Sequence, residues 1–288
     1  MTKRRVNTTA REVLQSYVQQ HSRTVRESLP RVLADEPDAI HAARVATRRL
    51  RSVLKTYRPL WVSGHSALRA ELRWYAGLLG RPRDLEVVGD WLVEVLDEPG
   101  IRAEAGSRAA AEELAQRVRL DRETALTTMR HELAGRRFPD LAATLPPEDW
   151  SPAADLPADL LVAGLAAVPA EAAAQEAADL PTGAGRPTAL HELRKTTKAA
   201  RYAVDALGSG AAEQAALWKK VTETLGVAQD GQVARAVLDE LRQDAPSHRA
   251  VWDALSAEVE QAARAAEVSG LELVRSATTM PYARVEAD

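Results

Sequence analysis

Histidine, arginine and lysine recur in one fixed pattern at two places in the chain. The segment from Pro37 to Arg51, PDAIHAARVATRRLR, returns without a gap as PTALHELRKTTKAAR from Pro187 to Arg201. Imidazolium, guanidinium and ammonium groups donate charged hydrogen bonds, so this combination suits the binding of phosphate or carboxylate anions. The repeat therefore predicts two copies of an anion-binding segment.

Each copy has the periodicity of an α-helix with two opposed faces. At about 100° per residue, the cations of the first copy fall within an arc of roughly 80°, and apolar residues occupy the other side. We call the cationic faces the first stripe (His41, Arg44, Arg48, Arg51 and Lys55) and the second stripe (His191, Arg194, Lys198 and Arg201). The pattern predicts that each helix packs with one face and offers the other to an anion.

A solvated surface is the ordinary interpretation of one basic helix face. Such faces usually carry acids among the cations, yet the chain from Ala39 to Ala70 contains no Asp or Glu. The acids gather instead in 84–98, 104–113 and 239–267, so we expect stripes that acids leave unneutralised. Asp38 and Thr188 are the expected helix caps, which would place both repeated histidines in a first helical turn, where the helix dipole favours an anion.

A second motif follows each stripe and consists of a cation, then Leu-Gly, then Asp four residues after the Gly. The two copies contain Arg73, Gly80 and Asp84, and Lys219, Gly226 and Asp230. The ordinary expectation is that each Gly ends a helix in a left-handed conformation and each Asp caps the next helix. The two cations are candidate ligands because each stands on a helix expected to pack back against its stripe. Additional candidates are Arg49, Lys195 and Tyr202.

The segments HAARVATRRLR and HELRKTTKAARY, each followed by a Leu-Gly-x-x-x-Asp element, resemble the two signatures of the CHAD domain, the conserved histidine α-helical domain. The resemblance runs from roughly Val6 to Ala266. It implies an all-α fold of two helical bundles, related by a pseudo-twofold axis, around a basic central cavity or groove that binds inorganic polyphosphate. By resemblance, binding roles fall to His41, Arg44, Arg48, Arg51, Arg73, His191, Arg194, Lys198, Arg201 and Lys219. The first half is the more basic, since Arg49 and Arg83 are matched by Ala199 and Gln229.

A chain of 288 residues is long enough for two bundles of about five helices each. We predict a first half over 1–145, a proline-rich linker over 146–157, a second half over 158–268 and a tail over 269–288. Before the linker, periodicity predicts a helix from Thr8 to Leu33, the first-stripe helix up to Pro59, the Arg73 helix up to Gly80, and helices from Asp84 to Asp97 and from Ile101 to Ala134. After the linker it predicts a helix from Leu160 to Leu180, the second-stripe helix from Thr188, the Lys219 helix, a helix from Asp230, and one from Ser247 to Val268.

Composition excludes several classes of protein. There is no cysteine, so the chain has neither disulfides nor thiolate metal ligands. The longest apolar run, Leu160 to Val168, is too short to cross a bilayer, and the N-terminus lacks the apolar core of a signal peptide. We therefore expect a cytoplasmic protein without a membrane partner. The formal net charge of −3 is compatible with polyanion binding where the cations are segregated.

Catalytic motifs are missing from the sequence. It has no G-x-x-x-x-G-K-[ST] phosphate loop and no H-E-x-x-H, and neither stripe brings acids that hold Mg²⁺. The tunnel phosphohydrolases that accompany CHAD domains carry an E-x-E-x-K strand, whereas Glu258-Val259-Glu260 lies in helical sequence and has Ala262 in place of Lys. We expect no catalysis, no cofactor and no metal.

The predicted function is non-catalytic binding of inorganic polyphosphate, with targeting to polyphosphate granules. One alternative is a nucleic-acid-binding protein whose aromatics stack on bases, namely Tyr57, Trp61, Trp74, Tyr75 and Tyr202. Another is a scaffold that docks an acidic protein segment in the same groove. The oligomeric state is left open by the sequence.

Overall fold

A computed structural model describes residues 8–63, 65–96, 107–244 and 249–280 of the chain. Before the predicted linker, in what we call the first half, lie α1 (Ala10–Glu27), α2 (Leu29–Leu33), α3 (Ala39–Thr56), α4 (Ser66–Leu78), α5 (Gly80–Leu96), α6 (Ser107–Leu133) and α7 (Arg137–Ala143). After it, in what we call the second half, lie α8 (Ala158–Ala178), α9 (Arg186–Asp205), α10 (Ala212–Asp244) and α11 (Arg249–Thr279). Apart from short 3-10 turns and isolated bridges, the described secondary structure is α-helical, so the all-α prediction is confirmed. None of the described helices combines the length and apolarity that a bilayer span requires.

The N-terminal helix begins at a capping box. The Thr9 N–H donates to Glu12 Oε2 at 2.8 Å, and the Glu12 N–H donates to Thr9 Oγ1 at 3.2 Å. The single helix predicted from Thr8 to Leu33 is instead two helices that meet at Ser28. Pro30, in the first turn of α2, has no N–H to continue the α1 ladder, which accounts for the break.

The expected caps of the stripe helices are wrong. Asp38 precedes α3 in a left-handed conformation, with φ of 59°, and its side chain makes no capping bond. Helix α9 begins at Arg186, ahead of Thr188, because Pro187 fits the first turn of a helix. Only His41 therefore lies in a first turn, while His191 lies in the second turn of α9.

The left-handed glycine caps predicted at Gly80 and Gly226 are also wrong, although the Arg73 helix does end at Leu78, close to Gly80. Gly80 is the first residue of α5, and α10 runs without interruption through Gly226 and Asp230. Among the described glycines, only Gly183 and Gly208 have a positive φ. A glycine inside a helix costs about 1 kcal/mol relative to alanine, and packing of α10 on its neighbours is sufficient to hold it helical.

The remaining boundaries differ at the ends of the long helices. Helix α11 continues past Val268 to Thr279, into the predicted tail. The predicted helix starts at Ile101 and Ser247 and the tail from Pro281 onward lie outside the described residues. The linker over 146–157 lies against the first half, where the Val62 N–H donates to Asp149 O and the Ser151 N–H donates to Leu60 O, both at 2.9 Å. The division into halves at this linker remains a prediction.

The predicted apolar faces of the stripe helices are buried. Helix α3 buries Ala43, Ala46, Leu50, Val53 and Leu54, and α9 buries Leu193, Ala200, Ala203 and Val204. Helix α3 packs against α1, α4 and α9, and α9 also packs against α8 and α10. The Tyr57 hydroxyl, fully buried, donates to Ala203 O at 2.8 Å and joins the two halves. Burying a leucine-sized side chain contributes about 1.5–3 kcal/mol, so this core fixes the direction of both stripes.

Candidate anion-binding site

The cations of the two stripes lie at the edges of their buried helix faces. The half-buried stripe residues are Arg44, Arg48, Arg51, Arg194, Lys198 and Arg201, and the exposed ones are His41, Lys55 and His191. Arg73 and Lys219 of the second motif are also exposed. Half-burial keeps the aliphatic stems against the core and leaves the charged ends at the surface.

The two stripes meet at Lys198 on α9. Burial, together with Arg48 of α3 and Arg194, lowers the pKa of this amine to about 7, and Asp230 only partly opposes the shift. Burial also lowers the pKa of Arg194; Asp230 opposes this, while Arg48 and Arg44 act in the same direction as burial. Positive charges from α3 and α9, distant in sequence, are therefore held within electrostatic reach of one another.

The second motif approaches the stripe arginine of its own half. The Arg44 Nη1 donates to Asp84 Oδ1 at 2.7 Å and to Gly80 O at 3.2 Å. On α9, the Arg194 Nη2 lies 3.6 Å from Asp230 Oδ1. Asp84 and Asp230 pair with these arginines instead of capping helices, so the stripes are partly neutralised, contrary to expectation.

These ion pairs hold the guanidinium groups of Arg44 and Arg194 in fixed orientations. The side chains of Arg44 and Arg194 are 23% and 21% exposed, whereas those of Asp84 and Asp230 are 68% and 66% exposed. A methyl group on Gly226 would come 3.7 Å from Arg194 Nη2, so the guanidinium lies directly against that glycine. A guanidinium has five N–H donors, and each pair uses only some of them.

The repeated histidines face equivalent positions of the second motif. Burial lowers the pKa of His41, and the Arg83 guanidinium lowers it further, in partial opposition to Asp38 and Glu86. His191 Nδ1 lies 3.2 Å from Gln229 Oε1. An amide oxygen only accepts hydrogen bonds, so this contact requires a proton on Nδ1.

A cluster of four arginines lies where α3 packs against α4. Burial lowers the pKa of Arg51, and Arg73, Arg48 and Arg69 lower it further. Sequence reasoning missed Arg69, although its position one helical turn before Arg73 was a signal for it. We call Arg48, Arg51, Arg69 and Arg73 the arginine cluster. Within the described residues, none of the four has a hydrogen-bonding or ion-pairing side-chain partner.

The equivalent cations of the second half are paired. The Arg201 Nη1 donates to Thr222 Oγ1 at 3.0 Å, and its Nε lies 3.9 Å from Asp205 Oδ2. Arg49 reaches from α3 to the same carboxylate at 3.5 Å. Lys219 Nζ lies 3.7 Å from Glu223 Oε1. Asp205, which sequence reasoning missed, therefore contacts arginines of both α3 and α9.

The additional candidates lie apart from the stripe surface. Lys195 points to solvent and pairs with Glu192 at 2.6 Å. Tyr202 is only 9% exposed, with the Arg201 guanidinium 6.0 Å from its ring centre. The other aromatics considered for stacking are Tyr57 and Tyr75, both fully buried, Trp61, 4% exposed, and Trp74, which packs under Arg137.

A separate cavity of about 1090 Å³ lies between α4, α7 and the 146–157 segment. Its lining includes Arg26 and Arg137 beside Glu71 and Asp149, and none of the predicted site residues. Arg137 donates to Glu71 at 2.8 Å. Because charges of both signs meet there, this cavity does not concentrate cations as the stripes do.

Comparisons with known proteins bear on the family and the fold. The two curated relatives are the uncharacterized proteins MT2285 and Rv2226 of two Mycobacterium tuberculosis strains, each 32% identical over 211 residues. The aligned part is 71% of this chain and 40% of each relative, so the chain spans less than half the length of these proteins.

Two solved structures share the fold. PptA from Streptomyces chartreusis superposes with a TM-score of 0.77 at 21% identity, over 93% of this chain and 99% of that one. The CHAD domain from the plant Ricinus communis superposes with a TM-score of 0.69 at 20% identity, over 97% and 95%. The family model of the CHAD domain matches residues 16–239, a range that contains both stripes and both second motifs. The chain therefore belongs to the CHAD domain family.

Proposed function

We propose that the chain binds inorganic polyphosphate between α3 and α9 without chemically altering it. The observation that carries this proposal is the packing of α3 on α9, which brings Arg48 of the first stripe within electrostatic reach of Lys198 and Arg194 of the second. Holding like charges together is costly in the free protein. A polyanion that enters between the stripes removes that cost, and the gain contributes to its affinity.

The spacing of the stripe cations suits a linear polymer of phosphates. A helix rises about 1.5 Å per residue, so the first stripe from His41 to Lys55 follows a track on the order of 20 Å. Guanidinium groups donate paired hydrogen bonds to phosphate oxygens, and an ammonium adds a point charge. Because the ligand repeats along its length, charge density is sufficient for recognition and no base-specific contact is needed.

The CHAD family as a rule supplies binding rather than catalysis. Among the described residues, no three His, Asp or Glu side chains are grouped so as to hold a metal ion. We propose that bound polyphosphate is retained rather than hydrolysed, and that binding targets the chain to polyphosphate granules. Incubation with long-chain polyphosphate should release no inorganic phosphate above a protein-free control.

Nucleic acid is the weaker candidate ligand. Binding of single strands without sequence preference combines cations with exposed aromatic faces. Tyr57, Tyr75, Trp61 and Tyr202 are buried, so their faces are occupied by the protein itself. Long polyphosphate should therefore outcompete single-stranded DNA and an acidic peptide at equal charge. The reverse order would replace this proposal with one of its alternatives.

The direct test is titration with long-chain polyphosphate in rising salt. If the ligand releases counterions as nucleic acids do and about six cations contact it, raising the salt fourfold should weaken binding by roughly 10³-fold. Lys198→Met should weaken binding several-fold at pH 7. Lys195→Met is the matched control, since Lys195 lies on the same helix but is exposed and paired with Glu192. An equal loss in both variants would contradict binding between the stripes.

A further inference from the structure

The two halves neutralise equivalent cations differently. Aligning the two copies matches Arg51 with Arg201 and Arg73 with Lys219. Arg201 contacts Thr222 and Asp205, and Lys219 lies 3.7 Å from Glu223. Within the described part of the chain, Arg51 and Arg73 have no such partners. At these two positions, and among the described residues, positive charge is thus compensated in the second half and left uncompensated in the first.

The packing of α3 on α4 holds the arginine cluster in place. Leu68, Leu72 and Tyr75 are buried along α4, and the Tyr75 hydroxyl lies 2.8 Å from Ser28 Oγ. With that face fixed, Arg69 and Arg73 stand one helical turn apart, about 6 Å along the axis, within electrostatic reach of Arg51. The packing therefore fixes the backbone positions from which these arginines extend toward one another.

A stabilising role does not explain this cluster. Arginines that contribute to folded stability pair with carboxylates or backbone carbonyls, as Arg122 does with Asp35 at 2.8 Å twice over. Four neighbouring guanidinium groups that pair with no acid among the described residues repel one another and lower the stability of the free protein. An arrangement that costs stability and leaves donors unused is typical of a site that awaits an anion.

We infer that the arginine cluster is a subsite for a compact oligophosphate, a chain of three or more linked phosphates, that binds without help from the second half. This inference rests on the proposed function and divides it into unequal parts. The arginine cluster binds a short polyphosphate or the end of a long one. The paired cations of α9 and α10 contact the ligand only when it is long enough to extend past Arg48 and Lys198.

Calorimetric titration of the full chain with tripolyphosphate tests the inference. Arg51→Gln/Arg73→Gln should weaken tripolyphosphate binding by roughly 20-fold or more, as expected for the loss of two charged hydrogen-bonding groups. Lys219→Gln, at the position equivalent to Arg73 and equally exposed, should change it less than about twofold. Arg73→Gln alone, at an exposed site that leaves the core intact, should show a loss of roughly fivefold.

A second titration, with ATP in place of tripolyphosphate, tests whether the ligand is a nucleotide. ATP also carries three linked phosphates. We expect ATP to bind no more tightly than tripolyphosphate; tighter binding would make the ligand a nucleotide and overturn the inference. Equal losses for Arg73→Gln and Lys219→Gln, or no tripolyphosphate binding by a wild-type chain that binds long polyphosphate, would overturn the subsite alone. A wild-type chain that binds neither ligand would overturn the proposed function itself.

Discussion

Lys198 should make polyphosphate affinity depend on pH above neutrality. Burial, with Arg48 and Arg194 adding to it, lowers the pKa of this amine to about 7, and Asp230 only partly opposes the shift. In the free protein, Lys198 is therefore about half protonated at pH 7 and mostly neutral at pH 8. A bound polyanion favours the charged form and moves the pKa back toward the ordinary value for lysine, so binding takes up a proton.

The size of this effect follows from the pKa of the free protein. If the ligand returns the pKa of Lys198 to about 10, the ordinary value for lysine, affinity should fall about fivefold from pH 7 to 8 and about eightfold to ninefold from pH 8 to 9. Below about pH 6.5 Lys198 is charged in both states, so its contribution to the slope disappears. The sign is fixed because the folded-state pKa is lowered and the ligand raises it.

The assay is titration with long-chain polyphosphate at fixed ionic strength between about pH 6 and 9, where internal phosphates do not titrate. Lys198→Arg should abolish the slope, because a guanidinium stays charged throughout. Lys195→Arg, on the same helix but paired with Glu192 in solvent, should keep the wild-type slope. A wild-type affinity that is flat from pH 7 to 9, or an unchanged slope in Lys198→Arg, would mean that Lys198 takes up no proton when the ligand binds.

Two further predictions concern the carboxylates that the structure places among the cations. Asp84→Asn should weaken polyphosphate binding by about threefold to tenfold, although it removes a negative charge. The reason is that Arg44 loses the carboxylate that orients it, at 2.7 Å. Tighter binding would mean that Asp84 only repels the ligand. Asp205→Asn should lower the free energy of unfolding in urea by about 1–3 kcal/mol, since this 17% exposed carboxylate joins arginines of both halves. Asp121→Asn, at an exposed position of α6, is the control for stability, and an unchanged midpoint for Asp205→Asn would contradict its bridging role.

The stripe helices were predicted correctly because a helical face depends on local spacing. Ala43, Leu50 and Val53 are buried, as their 3.6-residue period indicates. The capping predictions for Asp38, Thr188, Gly80 and Gly226 failed because propensities of about 1 kcal/mol are outweighed by the packing of long helices. The repeated Asp of the second motif could be recognised in the sequence, but its pairing with Arg44 or Arg194 could not be predicted.

The family, the all-α class and the cationic faces of α3 and α9 could all be predicted from residue types and their spacing along the chain. Which charges come together depends on the packing of the helices. Arg48 acts on Lys198, and Arg49 shares Asp205 with Arg201, across a gap of some 150 positions in the chain. Periodicity fixes the direction of a side chain about its own axis, whereas the distance between charges on two helices depends on how their buried faces pack. For that reason the unpaired arginine cluster of the first half and the paired cations of the second could not be told apart before the fold was known.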